Sequence, residues 1–253
     1  MGIVSAAMRR VPVGVLVPSI AWQYQFYEPE LRKLNDFVPY DRGAVDVGMW
    51  WGPWSWWLAR RTPRVDSFEI NLELTSRITP VMPSNVFVHR VALSDRTGQA
   101  DLWIPSGGTG SEGRASLEPG HRPDTGWRRR SVATSRLDEF NLTDVGFVKI
   151  DVEGHELAVL QGASHLLETQ RPTVMVEIEQ HCQRSELFDS VVKYFGDRSY
   201  TGEFLRKGRW HPIGELDRGT NEALANRAAQ RGYGANLFLY ARRYVHNFVF
   251  KPR

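Results

Sequence analysis

"GAVDVGMWWGPWSWWLAR", Gly43 to Arg60, contains a short apolar strand, a turn marked by Gly48 and Gly52, and a helix that starts at Pro53. Proline suits a first helical position because no amide hydrogen is needed there. Working outward, "RVDSFEI" reads as a second strand closed by Glu69, "NLELTSRITPVM" as a helix and "NVFVHRVAL" as a third strand. "DRTGQADLW" reads as a hairpin around Thr97 and Gly98. From Pro105 to Arg130 the apolar period disappears under glycine, proline and charge, which predicts a long loop. Beyond it come "SRLDEF" (short helix), "DVGFVKID" (fourth strand), "HELAVLQGASHLLE" (helix), "PTVMVEIE" (fifth strand) and "SELFDSVVKYF" (helix), with "ANLFLYAR" the clearest late strand. Strands alternating with helices imply an α/β fold, a mostly parallel sheet with helices on both faces. With no repeat and no second core, one domain spans 43–253, preceded by an arm over 1–42.

Composition narrows the functional classes. The 253 residues are 42% hydrophobic and 24% charged, enough apolar surface for one large core. A balance of 32 basic and 29 acidic residues gives a net charge of +3, too even and too scattered for a dedicated nucleic-acid binder. The single cysteine, Cys182, excludes an internal disulfide and a multi-cysteine metal site, and suits a reducing cytoplasm. Arg9 and Arg10 precede "VPVGVLVPSIAW" in the order of a secretory signal, but Pro12, Gly14 and Pro18 interrupt that run and no cleavage site follows. It reads as an arm that packs on the domain or lies on its surface. "MGIVSA" lacks the hydroxyl residue of a myristoylation signal.

Open sheets of this kind bind ligands beyond the carboxyl ends of their strands, where the strand order switches. The loop there is "DVGMWWGPW". A dinucleotide site needs a second glycine for close approach of the pyrophosphate, and Trp50 occupies that position. Gly48 still leaves room for a phosphate-free ligand, such as the amino-acid end of S-adenosylmethionine. Glu69, at the end of the second strand, suits the paired hydroxyls of a ribose.

Together "AVDVGMWWGPWSWWLAR", "SFEIN", "RVALSDRTG", "TSRLDEF", "VKIDVEGHELAVLQGA" and "RPTVMVEIE" resemble the FkbM family of S-adenosylmethionine-dependent O-methyltransferases, with "NLFLYAR" echoing the family's last strand. The resemblance implies a class I methyltransferase (Rossmann-like) fold, a seven-stranded sheet with an antiparallel last strand, and methyl transfer to a hydroxyl of a sugar, glycolipid, polysaccharide or natural product. It implies cofactor contacts from Asp46, Gly48, Met49, Trp50, Gly52, Glu69, Asn71, Ala92 and Asp151. Met49 and Trp50 replace the Ala-Asn pair usual in the family, and His89 and Arg90 stand where it carries an asparagine near the end of the third strand.

Methyl transfer to an alcohol is an in-line displacement that needs the hydroxyl held close and its proton removed. Asp151, at the end of the fourth strand, is the expected base. Glu153 from the turn and His155 from the first helical turn are alternatives, and Gly154 permits the tight backbone between them. The structural alternative is that Asp151 and Glu153 stabilise the following helix end, worth roughly 0.3–1 kcal/mol; Glu156 reads as a solvated helix residue. Glu177, Glu179 and His181 share one side of the fifth strand. Glu177 is expected to pair with Lys149 or to touch the acceptor with His181. A magnesium ion on Asp151, Glu177 and His181 ranks below a metal-free site. Trp54, Trp57 and Leu58 are expected to pack on the sheet, while Trp50 and Trp51 wall the pocket or stack on the acceptor. Arg128 to Arg130 read as a solvated basic stretch. The 105–130 loop, with His121 and Trp127, is expected to close over the acceptor. Two other classes stay in play: a nicotinamide-dependent oxidoreductase, and a non-catalytic protein binding a membrane or glycolipid surface through the apolar arm.

Overall fold

Continuous apolar runs such as Val145–Ile150 bury both faces, as strands of a parallel sheet with helices on each side must. A computed structural model describes residues 11–105, 115–118, 126–178, 185–231 and 244–253. In chain order these form helix α1 (Val13–Tyr27), a 3-10 segment (Pro29–Asp36), β1 (Gly43–Val47), α2 (Pro53–Leu58), β2 (Val65–Phe68), α3 (Leu72–Ile78), β3 (Val86–His89) and β4 (Ala92–Leu93). Then follow β5 (Gly98–Pro105), β6 (Trp127–Ser135), β7 (Val145–Ile150), α4 (Glu156–Gly162), α5 (Ser164–Gln170) and β8 (Thr173–Glu177). The described chain ends with α6 (Ser185–Gly196), β9 (Tyr200–Arg206), β10 (Arg209–Pro212), α7 (Arg218–Arg231) and β11 (Asn247–Pro252).

The main sheet has the order β10-β9-β11-β8-β7-β1-β2-β3. Strands β3, β2, β1, β7 and β8 run parallel, and β11 lies antiparallel to both β8 and β9. The sheet therefore has eight strands rather than the expected seven, because β10 folds back on β9 as an extra edge. The antiparallel last strand is Asn247–Pro252; the expected "ANLFLYAR" lies outside the described residues. Alternate residues feed two cores. Val45, Val148 and Val174 face Val159, Leu160 and Leu166 of α4 and α5, while Ala44, Phe147 and Met175 face Leu34, Trp54 and Leu58.

Residues 85–93 do not form one strand. β3 stays in the main sheet and β4 leaves it to pair with β6, whose antiparallel partner is β5. The hairpin expected at Thr97 is thus replaced by a β5–β6 ladder joining Gly98 to Thr134, and the long loop ends at Trp127 instead of Arg130. Its polar outer face concealed this strand: Arg128, Arg129 and Arg130 are exposed.

Candidate active site

The β1–α2 turn is fixed from both sides. The amides of Gly48 and Met49 donate to the Phe68 carbonyl at 3.0 and 3.1 Å. Gly48 has φ +82°, and a Cβ there would lie 1.8 Å from the Asp151 carbonyl oxygen. The glycine thus serves the close approach of the β7 turn, where the sequence suggested approach of a ligand. Trp50 takes a left-handed φ of 49°, uncommon for a bulky side chain, and its amide donates to Glu69 Oε2 at 2.8 Å. The Asn71 amide donates to Glu69 Oε1, also at 2.8 Å. Two backbone donors therefore aim this carboxylate, each oxygen keeping a lone pair for a ligand. Burial raises the Glu69 pKa, against the lowering pull of the Asn71 and Trp50 amides. The Trp50 indole packs beside Tyr24 of α1, with ring centroids 5.8 Å apart.

Asp151 faces Glu69 across β1. The two residues directly follow β7 and β2, the neighbours of β1, so two strand spacings, about 10 Å, separate their backbones. Lys149 Nζ, only 1% exposed, donates to Asp151 Oδ2 at 2.9 Å. Burial disfavours the lysine's charge, but the carboxylates of Asp151, Glu28, Asp46 and Glu177 outweigh it and raise the pKa. Glu177, the expected partner of Lys149, attracts it from a greater distance; the direct partner is Asp151, which the i, i+2 spacing places on the same side of the strand.

The turn after Asp151 divides its residues differently. Glu153 adopts φ +50°, and its carbonyl accepts the Ser116 hydroxyl at 2.6 Å. Gly154 donates its amide to Glu156 Oε1 at 2.8 Å. Glu156, expected in solvent, is 1% exposed because it turns back to satisfy this amide, the role assigned to Asp151 and Glu153. His155 uses both ring nitrogens: Nδ1 meets Glu118 Oε1 at 2.7 Å and Nε2 meets Ser94 Oγ at 2.9 Å. It ties the turn to β4 and to the 115–118 segment, leaving no ring nitrogen free for a proton transfer.

Several other expected contacts lie elsewhere. Asp46 is fully buried beneath the turn, hydrogen-bonded to Ser55 at 2.5 Å; burial, opposed by Lys149 and Ser55, pushes its pKa up to about 6. Trp51 is 8% exposed and packs in the small core with Ile20 and Leu74, so it cannot wall a pocket as expected. Trp50 likewise contributes its backbone to the site and its indole to that core. Met49 and Gly52 complete the turn, with Gly52 N–H donating to the Met49 carbonyl at 2.8 Å. The Asn71 side chain caps α3 by accepting from Leu74 N–H at 3.1 Å. Ala92 sits in β4, paired with Thr134 in the second sheet. His89 stacks on Phe68 and bonds Asp66 at 2.8 Å, a packing role. Glu177 ends β8 opposite Asn247. Glu179, His181, Cys182 and His121 lie outside the described residues. Among the described residues, no group of three or more His, Cys, Asp or Glu is placed to hold a metal ion.

The N-terminal segment supplies groups that the sequence did not single out. Glu28, 2% exposed, accepts from Trp54 Nε1 at 2.6 Å and from Asn247 at 3.2 Å. The Tyr24 pKa is raised by burial and by the charges of Glu28, Glu177 and Asp151, which locates the phenol among the site carboxylates. No local motif marks these residues; only the packing of α1 beside the β1 turn brings them in.

Comparison with known proteins agrees with this architecture. Residues 54–201 match the model of the methyltransferase FkbM domain. No curated protein sequence matches the chain significantly. Among solved structures, an FkbM methyltransferase from Methylobacillus flagellatus KT superposes with TM-score 0.51 at 14% identity, covering 96% of this chain; the chain spans 59% of that protein's length. A precorrin-6y C5,15-methyltransferase from Geobacter metallireducens GS-15 gives TM-score 0.47 at 12% identity, covering 90% of this chain and 87% of the other. The first superposition supports the fold alone, whereas the family match covers more than half of the sequence. The chain belongs to the FkbM methyltransferase family.

Proposed function

We propose that the chain is an S-adenosylmethionine-dependent O-methyltransferase acting on a hydroxyl of a sugar-like or natural-product acceptor. The observation that carries this reading is the aimed Glu69 carboxylate on one side of β1 and the lysine-paired Asp151 on the other. The donor's chemistry fits the residues present. Asp46, Glu69, Asp151 and Glu177 crowd the strand ends, and Lys149 is the only fully buried cation among the described residues. Such a surplus of carboxylates favours a cationic ligand over a pyrophosphate, which argues against a nicotinamide dinucleotide. Glu69 would hold the ribose hydroxyls, and the 48–52 turn would line the amino-acid end. When bound, S-adenosylmethionine supplies an activated methyl on a cationic sulfur.

The chain's own residues then act on the acceptor. Lys149 holds Asp151 Oδ2 and leaves Oδ1 without a hydrogen bond among the described residues. Oδ1 accepts the hydroxyl proton as the oxygen becomes nucleophilic. Calorimetric titration with S-adenosylhomocysteine and with NADH tests the proposal. The folded chain should take up the first and not the second, and Glu69→Gln should weaken uptake about 10- to 100-fold by removing a charged acceptor. Absence of any heat with S-adenosylhomocysteine would sink the reading.

A further inference from the structure

Helix α1 is apolar on both sides. Leu16, Val17, Ile20 and Ala21 are buried against the domain, while Val15 and Trp22 remain 57% and 59% exposed. Helical spacing puts Val15, Trp22 and Phe26 in one row opposite the buried four. No charged residue occurs from Val13 to Tyr27. Large apolar side chains on a helix are ordinarily covered, yet here Val15 and Trp22 face outward beside Ser19 and Gln23. The adjoining surface is an open cleft of about 490 Å³ in which Trp22, Trp56, Trp57 and Arg60 stand beside Ser19 and Gln23.

Cations edge this face without counter-charges. The Arg60 guanidinium lies 4.1 Å over the Trp56 ring, and that of Arg32 lies 4.3 Å over Phe26. Neither forms an ion pair among the described residues. Of the acidic residues in the adjoining segment, Glu28 and Glu30 are 2% and 5% exposed and turn into the domain, while Asp36, at the segment's far end, is exposed and accepts from Trp210 Nε1 at 2.9 Å. The outward surface therefore combines indole, valine and guanidinium with the uncharged polar groups of Ser19 and Gln23.

We infer that this face docks on an anionic lipid surface, with Trp22 and Val15 entering the headgroup boundary and Arg32 and Arg60 meeting phosphates. Indoles favour that boundary because one edge is apolar and the other carries a donor, and arginine stems lie along apolar surface while their heads stay in the polar layer. At 15 residues α1 is about 22 Å long, short of a hydrocarbon core of about 30 Å. No described helix is long and apolar enough to cross a membrane, so the contact lies in the plane of the surface. A second copy is the less favoured occupant, because a two-fold contact through this patch brings arginine edges together.

Co-sedimentation of the full chain with vesicles of phosphatidylcholine alone, and with one third phosphatidylglycerol, tests the inference. Partitioning should be at least tenfold higher on the anionic vesicles and should fall with salt. Trp22→Gln combined with Val15→Gln should lower it tenfold or more, and Arg32→Gln and Arg60→Gln about fivefold each. These side chains lie at the surface, and unchanged thermal unfolding confirms that the variants fold. Equal partitioning on both vesicle types, wild-type partitioning by the Trp22/Val15 variant, or a concentration-dependent dimer abolished by that variant without vesicle binding would overturn the inference. The readout requires no turnover, so its failure leaves the methyl-transfer proposal standing.

Discussion

Asp151 and His155 sit four residues apart in one turn and have opposite surroundings. Asp151 stands on a buried lysine and keeps one carboxylate oxygen without a hydrogen bond among the described residues; His155 is engaged at both ring nitrogens by Glu118 and Ser94. A charged residue near a strand end is thus a poor guide to chemistry until its hydrogen bonds are counted. The first is the proton acceptor of the proposed reaction, and the second fastens the second sheet to the main one.

The sharpest way to break this contrast is Asp151→Asn, which keeps the shape and an acceptor for Lys149 but not the basic oxygen. Turnover should drop about 10²- to 10⁴-fold, with S-adenosylhomocysteine affinity within threefold of wild type, measured by methyl-transfer assay and calorimetry. A variant with near-normal turnover removes Asp151 as the base.

A second test concerns the charges behind Lys149. Burial and the neighbouring Glu28 push the Glu30 pKa up from 4.5 to about 8. Its protonated form therefore stabilises the fold fully below about pH 4.5, and that contribution is lost as pH rises through 8. Chemical denaturation across this range should show wild-type stability declining by on the order of a few kcal/mol more than Glu30→Gln. Parallel curves for the two proteins would remove Glu30 from the account.

The smallest effect is expected from His155→Ala. Loss of two partly buried hydrogen bonds should cost about 1–2 kcal/mol, seen in thermal unfolding and in faster amide exchange of β4 and β6, while turnover changes less than threefold. A loss of turnover matching that of Asp151→Asn would erase the distinction between the two residues.

The parallel strands were legible because burial on both faces leaves unbroken apolar runs, as in "VGFVKI", and the glycine turn after β1 marked where the site must lie. Glu69 was legible from its position, as the charged residue that closes the second strand about twenty residues after the glycine turn. The split of "NVFVHRVAL" was not, since no glycine or proline interrupts the segment where the chain passes from one sheet to the other. β6 was hidden because three consecutive exposed arginines resemble loop, and its partner β5 lies across a stretch of irregular sequence. Side-chain direction was the other gap. Trp50, Trp51 and Glu156 were placed correctly in the chain but turned inward, and neither composition nor spacing records which way a side chain in a turn will point.

The contact between position 48 and the Asp151 carbonyl divides the freedom of this enzyme to diverge. Any side chain at 48 must push the two central turns apart and displace Asp151 with them, so that site is closed to drift. Positions 49 and 50 present only amides to β2 and its carboxylate, and their side chains point away into packing that other large residues can fill. Lineages can therefore exchange the residues of this loop while Asp151 stays where it is.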